Sequence, residues 1–125
     1  MQNIELEHIK LVLKEQKDYL HQHFGIKEIG IFGSFAKGNY NEHSDVDIFI
    51  VMYPSTKDKL KKRLELKEYL ETLLGRPVDV CQKNAVKPYL QDIVFKNAIY
   101  VWKRFDKFAK YLNMNSPRFT GKFKI

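Results

Sequence analysis

Two short apolar runs, residues 29–32 and 48–51, frame a polar segment that opens on Gly33-Ser34 and closes on Asp45-Val46-Asp47. No other feature restricts the fold of this chain as much. Short runs rich in Ile, Phe and Val and bounded by turn residues read as buried strands. The second run nevertheless begins with two carboxylates one residue apart. Side chains two apart on a strand share a face, so a strand predicted over 45–52 sets Asp45 and Asp47 side by side, their Cβ atoms about 7 Å apart. Such a pair is either a solvated strand end or half of a cation site, because adjacent carboxylates repel unless positive charge lies between them.

The flanking sequence supplies helices to cover these strands. Ile4, Ile9, Leu11, Val12, Leu13, Tyr19 and Leu20 recur with helical spacing among Glu and Lys, which predicts one amphipathic helix over about 4–23, ending before Gly25. Residues 26–32 form the first predicted strand, and "SFAKG" allows one helical turn after it with Ser34 as N-cap. Pro54 stops the second strand, and Ser55 or Thr56 can cap a helix running to Leu74. Its leucines (60, 64, 66, 70, 73 and 74) are expected to form a core stripe, with Gly75 closing the helix. Pro77 introduces a third strand over 78–81, and residues 88–96 read as a helix leading into an apolar run at 98–102. The order helix, strand, strand, helix, strand, helix predicts a small α/β (α+β) domain, a short sheet with helices packed against it, over residues 1–102.

A chain of 125 residues with 44% hydrophobic and 30% charged residues suits one globular domain. Its apolar runs are too short to span a bilayer, and charges spread through the first sixteen residues leave no signal core. The single cysteine, Cys81, has no internal disulfide partner. A cytoplasmic location without membrane contact is the expectation. Of the net charge of +7, residues 103–125 carry +6, so the body is nearly neutral. Charge confined to a tail argues for a partner of that tail rather than for a basic binding face on the domain. The tail's Phe105, Phe108, Phe119 and Phe123 suit docking on a protein, with RNA contact through stacking and phosphate pairing as the other expectation.

Gly33-Ser34 supplies a possible second half of the site. Glycine at a strand end lets backbone approach a ligand, and N–H groups at the start of the next helical turn, with the Ser34 hydroxyl, can cradle phosphate. Asp79, flanked by Val78 and Val80, adds a third carboxylate if its strand neighbours that of Asp45 and Asp47 through an ordinary crossover. It could then ligate a second metal and accept a proton from an attacking hydroxyl. A phosphate cradle beside a Mg²⁺ site is what nucleoside triphosphate chemistry requires. Cys81 reads as a small core residue, His21 and His23 as a polar helix end, and His43 as a loop residue within possible reach of a nucleotide.

Gly33-Ser34, a ten-residue interval, Asp45-x-Asp47 and the downstream Asp79 together resemble the signature of the DNA polymerase β-like nucleotidyltransferase superfamily. The small size and "GSFAKG" are similar to its minimal nucleotidyltransferase (MNT) branch, the resemblance covering residues 1 to about 102. It implies a mixed sheet, ATP as donor held by Gly33, Ser34 and Lys37, and two Mg²⁺ ions on Asp45, Asp47 and Asp79, with Asp79 as the base. Lys37 stands where many members carry Arg, keeping the charge but losing the bidentate fork. The resemblance further implies an antitoxin that transfers AMP to a tyrosine of a HEPN-domain ribonuclease toxin. The alternatives are a nucleotidyltransferase acting on a small molecule and a non-catalytic antitoxin that masks its partner by binding.

Overall fold

Ile and Val at alternate strand positions bury one face of a four-stranded sheet beneath helices. The computed structural model describes residues 4–103; the expectations for the tail at 104–125 lie outside the described residues. In chain order the elements are α1 (Ile4–Glu15), α2 (Lys17–Phe24), β1 (Ile26–Phe32), α3 (Ser34–Lys37), β2 (Val46–Met52), α4 (Lys59–Leu74), β3 (Val78–Gln82), a 3₁₀ turn (Lys83–Ala85), α5 (Pro88–Val94) and β4 (Ile99–Lys103). The sheet order is β3-β2-β1-β4. β1 runs antiparallel to β2 and β4, and β2 runs parallel to β3. The sheet is therefore mixed, and α4 makes the expected crossover between its parallel pair.

The two faces of the sheet differ. On one, Ile29, Ile31, Val46, Ile48, Ile50, Val78 and Val80 pack with Leu6, Ile9, Leu13, Leu20, Leu66 and Leu70 of the helices into the main core. On the other, Phe49 is fully buried within an aromatic group of Phe32, Phe95 and Tyr100, with ring centroids 5.0–6.4 Å apart. Phe49 crosses Gly30 so closely that a Cβ there would stand 2.2 Å from its ring. β2 alternates accordingly: even-numbered residues face the helices, and Asp47 and Phe49 face the other way.

Four expectations need correction. The single helix over 4–23 is two, turning at Gln16. The buried Trp102 indole N–H donates to the Leu13 carbonyl at 3.0 Å, so α1 can end there without leaving a buried acceptor unsatisfied. The long helix starts at Lys59, after Asp58 at φ 55°, rather than at Ser55 or Thr56. Thr56 belongs to the preceding turn, where its amide donates to the Tyr53 carbonyl at 3.0 Å. The leucine stripe is narrower than expected: Leu66 and Leu70 are buried, whereas Leu60, Leu64 and Leu73 are exposed. Finally, the strand predicted over 45–52 begins at Val46 and leaves Asp45 outside it, and the run at 98–102, given no element above, is strand β4 beside β1.

Side chains of α4 occupy the outer edge of β3. Arg63 Nη1 donates to the Val80 carbonyl at 3.1 Å, and the Val78 amide donates to Glu71 Oε2 at 3.0 Å. Alternate residues of a strand direct their backbone groups to the same side, so these bonds meet the edge that β2 leaves unpaired. Among the described residues, no helix is long and apolar enough to cross a membrane.

Leu70→Ala should destabilise the protein by about 2–5 kcal/mol, whereas Leu64→Ala should stay within about 0.5 kcal/mol. Urea denaturation of both variants checks this division of the leucines.

Candidate active site

Asp47, the second residue of β2, pairs with Phe32 on one side and stands in parallel register with Asp79 on the other. Adjacent strands lie about 4.8 Å apart, so the register brings the two carboxylates together on the face opposite the main core. Asp45 is exposed immediately before β2. Burial, followed by the charges of Asp79 and Asp45, raises the pKa of Asp47 above the ordinary carboxylate value. The three predicted carboxylates are thus electrostatically coupled at one end of the sheet.

The turn between β1 and α3 closes against this group. Gly33 has φ 72° and ψ −147°, a backbone conformation open essentially to glycine, and a Cβ on it would stand 2.0 Å from Asp47 Oδ2. The bare backbone of Gly33 therefore lies directly against the Asp47 carboxyl. Gly33, rather than Ser34, holds the N-cap position of α3, and no side-chain cap bond forms there. Ser34 is the first helical residue, half-buried, and its carbonyl accepts the amides of Gly38 and Asn39 at 3.0 and 3.1 Å. Phe35 anchors this turn in the core, stacked on Tyr40 with centroids 4.0 Å apart. Lys37 stands exposed at the end of α3.

Supporting polar residues went unrecognised in the sequence. Glu71 binds the Val78 amide, one residue before Asp79, and also pairs with Lys67 Nζ at 2.8 Å. Those partners hold Glu71 below the usual carboxylate range, the Lys67 bond first, while the Glu71 bond raises the Lys67 pKa, with lesser contributions from Asp79 and Asp45. Arg76 donates to the carbonyls of Ser44 and Asn41 at 3.0 and 3.2 Å, on the loop that delivers Asp45. The Lys67–Glu71 pair, four apart on α4, has a local spacing; nothing local marked the Glu71 bond to Val78 or the Arg76 bonds, because those partners lie on other elements.

The remaining candidates fall outside this group or contribute no reactive function. Burial, then Asp79 and Asp47, pushes the Cys81 thiol up despite nearby Arg63, which leaves it a poor nucleophile. His21 faces the Ile26 carbonyl at 3.4 Å, and His23 stacks on Tyr19. His43 is exposed beside Glu42. Among the described residues, no three His, Cys, Asp or Glu side chains converge as a ready-made metal shell. The donor set nonetheless fits Mg²⁺, which takes one or two carboxylates and completes its shell with water and substrate phosphates. A cation there would also offset the burial and the neighbouring carboxylate charges that raise the Asp47 pKa.

Comparison with known proteins follows the same lines. The profile of the family described as nucleotidyltransferase domain matches residues 13–101. Protein adenylyltransferase MntA of Thermococcus cleftensis is 41% identical over 103 residues, covering 81% of this chain and all of that protein. A solved structure provisionally described as a minimal nucleotidyltransferase superposes with a TM-score of 0.62 at 28% identity, over 79% of this chain and 95% of the other. A chain from a mutant of the toxin–antitoxin MntA-HpeT superposes with a TM-score of 0.55 at 26% identity, over 74% and 69% of the respective chains.

Two measurements test this geometry. A carboxyl whose pKa is raised on folding loses native-state stability as pH rises through that folded value, because the native state then gives up its extra proton. Without metal, Asp47→Asn should therefore raise the melting temperature at neutral pH, and the gain should vanish below the ordinary carboxylate range. Gly33→Ala should cost about 1–3 kcal/mol from backbone strain, read by denaturant melts.

Proposed function

The chain belongs to the nucleotidyltransferase domain family, and from that premise we propose that it is a Mg²⁺-dependent protein adenylyltransferase. In this reading it moves AMP from ATP to a tyrosine hydroxyl of a HEPN-domain toxin and so silences it as an antitoxin. The observation that carries the chemistry is the parallel register of Asp47 with Asp79 beside the bare backbone of Gly33. The likeness to a protein named adenylyltransferase MntA, matched over its whole length, supports a protein acceptor. The likeness to a chain of a toxin–antitoxin supports the antitoxin role.

Each residue then has a task. Gly33 and Ser34 receive the triphosphate, since the glycine turn lets phosphate oxygens come close to backbone and the Ser34 hydroxyl can donate to them. Lys37, exposed on the same turn, offers charge to the outer phosphates as a single point rather than a fork. Asp45, Asp47 and Asp79 would hold Mg²⁺, which when bound neutralises charge on the phosphates and orients them. Asp79 is exposed and can accept the phenolic proton as the tyrosine oxygen attacks the α-phosphorus. One P–O bond forms, the bond to the pyrophosphate leaving group breaks, and AMP remains on the tyrosine. The acceptor tyrosine arrives on a separate protein.

The test mixes the purified protein, Mg²⁺-ATP and the product of the neighbouring reading frame, and follows the partner's mass. The partner should gain one or more AMP increments, and Asp79→Asn should slow the transfer by about 10²–10⁴-fold. An Asp45→Asn/Asp47→Asn double variant should abolish both transfer and neutralisation. Full neutralisation by that variant would mean masking by binding, and labelling of small molecules alone would mean a different acceptor class.

A further inference from the structure

Asp45 lies outside β2, so the sheet register that places Asp47 and Asp79 does not place it. What holds it is the loop at 39–45, most of which is exposed. Within that loop the Ser44 amide donates to the Asn41 carbonyl at 3.1 Å, the Asn41 amide to Ser44 Oγ at 2.9 Å, and the His43 amide to Asn41 Oδ1 at 2.7 Å. These bonds shape the turn but do not tie it to the rest of the domain.

The tie is Arg76. Its Nη1 donates to both the Asn41 and the Ser44 carbonyls, at 3.2 and 3.0 Å, the two residues that close the turn. Its Nη2 bonds Glu5 Oε1 on α1, and its guanidinium carbon stands 5.1 Å from the centroid of the Phe35 ring. The Arg76 side chain is only 14% exposed. One rigid planar group thus meets the Asp45 loop, the first helix and the anchor of the Gly33-Ser34 turn. Next to it, the Val46 amide donates to the Pro77 carbonyl at 2.9 Å, joining the chain on either side of the clamp.

We propose that Arg76 is a positioning residue for the adenylyl transfer: its fork fixes the Asn41–Ser44 turn, and through it the approach of Asp45 to Asp47 and Asp79. This rests on the activity proposed above. Arg76 touches neither nucleotide nor acceptor in this role, and Glu5 serves by orienting the guanidinium. Lysine cannot replace it, because an ammonium group cannot grip two carbonyls and a carboxylate in one plane.

The test uses the full chain with Arg76→Gln, Arg76→Lys and Glu5→Gln, measured by amide hydrogen exchange and by steady-state transfer to the partner. In Arg76→Gln, exchange at the Ser44 amide should rise by about tenfold or more while the β1 and β2 amides keep their protection. The transfer kcat should fall by about 10–100-fold, with the KM for ATP changing by less than about threefold, as expected from misplacing a reacting group. Arg76→Lys should not restore kcat, and Glu5→Gln should show the same pattern more weakly. Unchanged loop exchange, unchanged kcat, or a loss of protection throughout the sheet would each overturn the proposal. If the wild type transfers no AMP, the proposed activity fails, and the clamp on the loop is then judged by the exchange measurements alone.

Discussion

The parallel register of Asp47 with Asp79 is the constraint on which the rest of the site depends. Side-chain direction reverses at every residue of a strand, so a slip of one position would carry Asp79 into the core and Val80 out of it. The register is well defended. Val78 and Val80 are buried in the main core, and their outer edge is held by Glu71 and Arg63 of α4. The same arrangement buries Asp47 and sets like charges beside it, which together raise its pKa, a local conflict held in place by the packed apolar face of the sheet.

The two faces of the sheet divide the work. Nearly all of the aliphatic core lies beneath α1, α2 and α4, which leaves the other face to a compact aromatic group and to the carboxylates. Gly30 makes that second face possible in a thin domain, since Phe49 lies across the space its side chain would fill. The site end of the sheet is therefore supported from below by packing, and among the described residues Asp45 and Asp79 are exposed there.

The legible part of the site was the part governed by strand periodicity. Asp47, Asp79 and the glycine turn could be placed because a period of two, one crossover and one chain break determine which residues share an end of the sheet, whereas Asp45, expected to open the strand, lies just before it. Expectations failed where a contact between distant segments intervened. Trp102 satisfies the Leu13 carbonyl and lets the first helix end early. Gly33 takes the cap position expected for Ser34, because only a residue without a side chain fits against Asp47. The leucines of α4 are too numerous for its one buried face, so three remain exposed.

By itself, the sequence determined three of the four sheet-forming segments and the helix between the parallel strands, and it singled out the three candidate acids. These depend on local preference and on the alternation of the backbone, properties that neighbouring residues carry with them. Tertiary structure decided the residues that hold those acids in place. Glu71 became a bond to the strand of Asp79, and Arg76 became a bridge between Asn41, Ser44 and Glu5. A long polar side chain records no partner in its own spacing, and its role emerges only when the packed core has fixed which backbone groups lie within its reach.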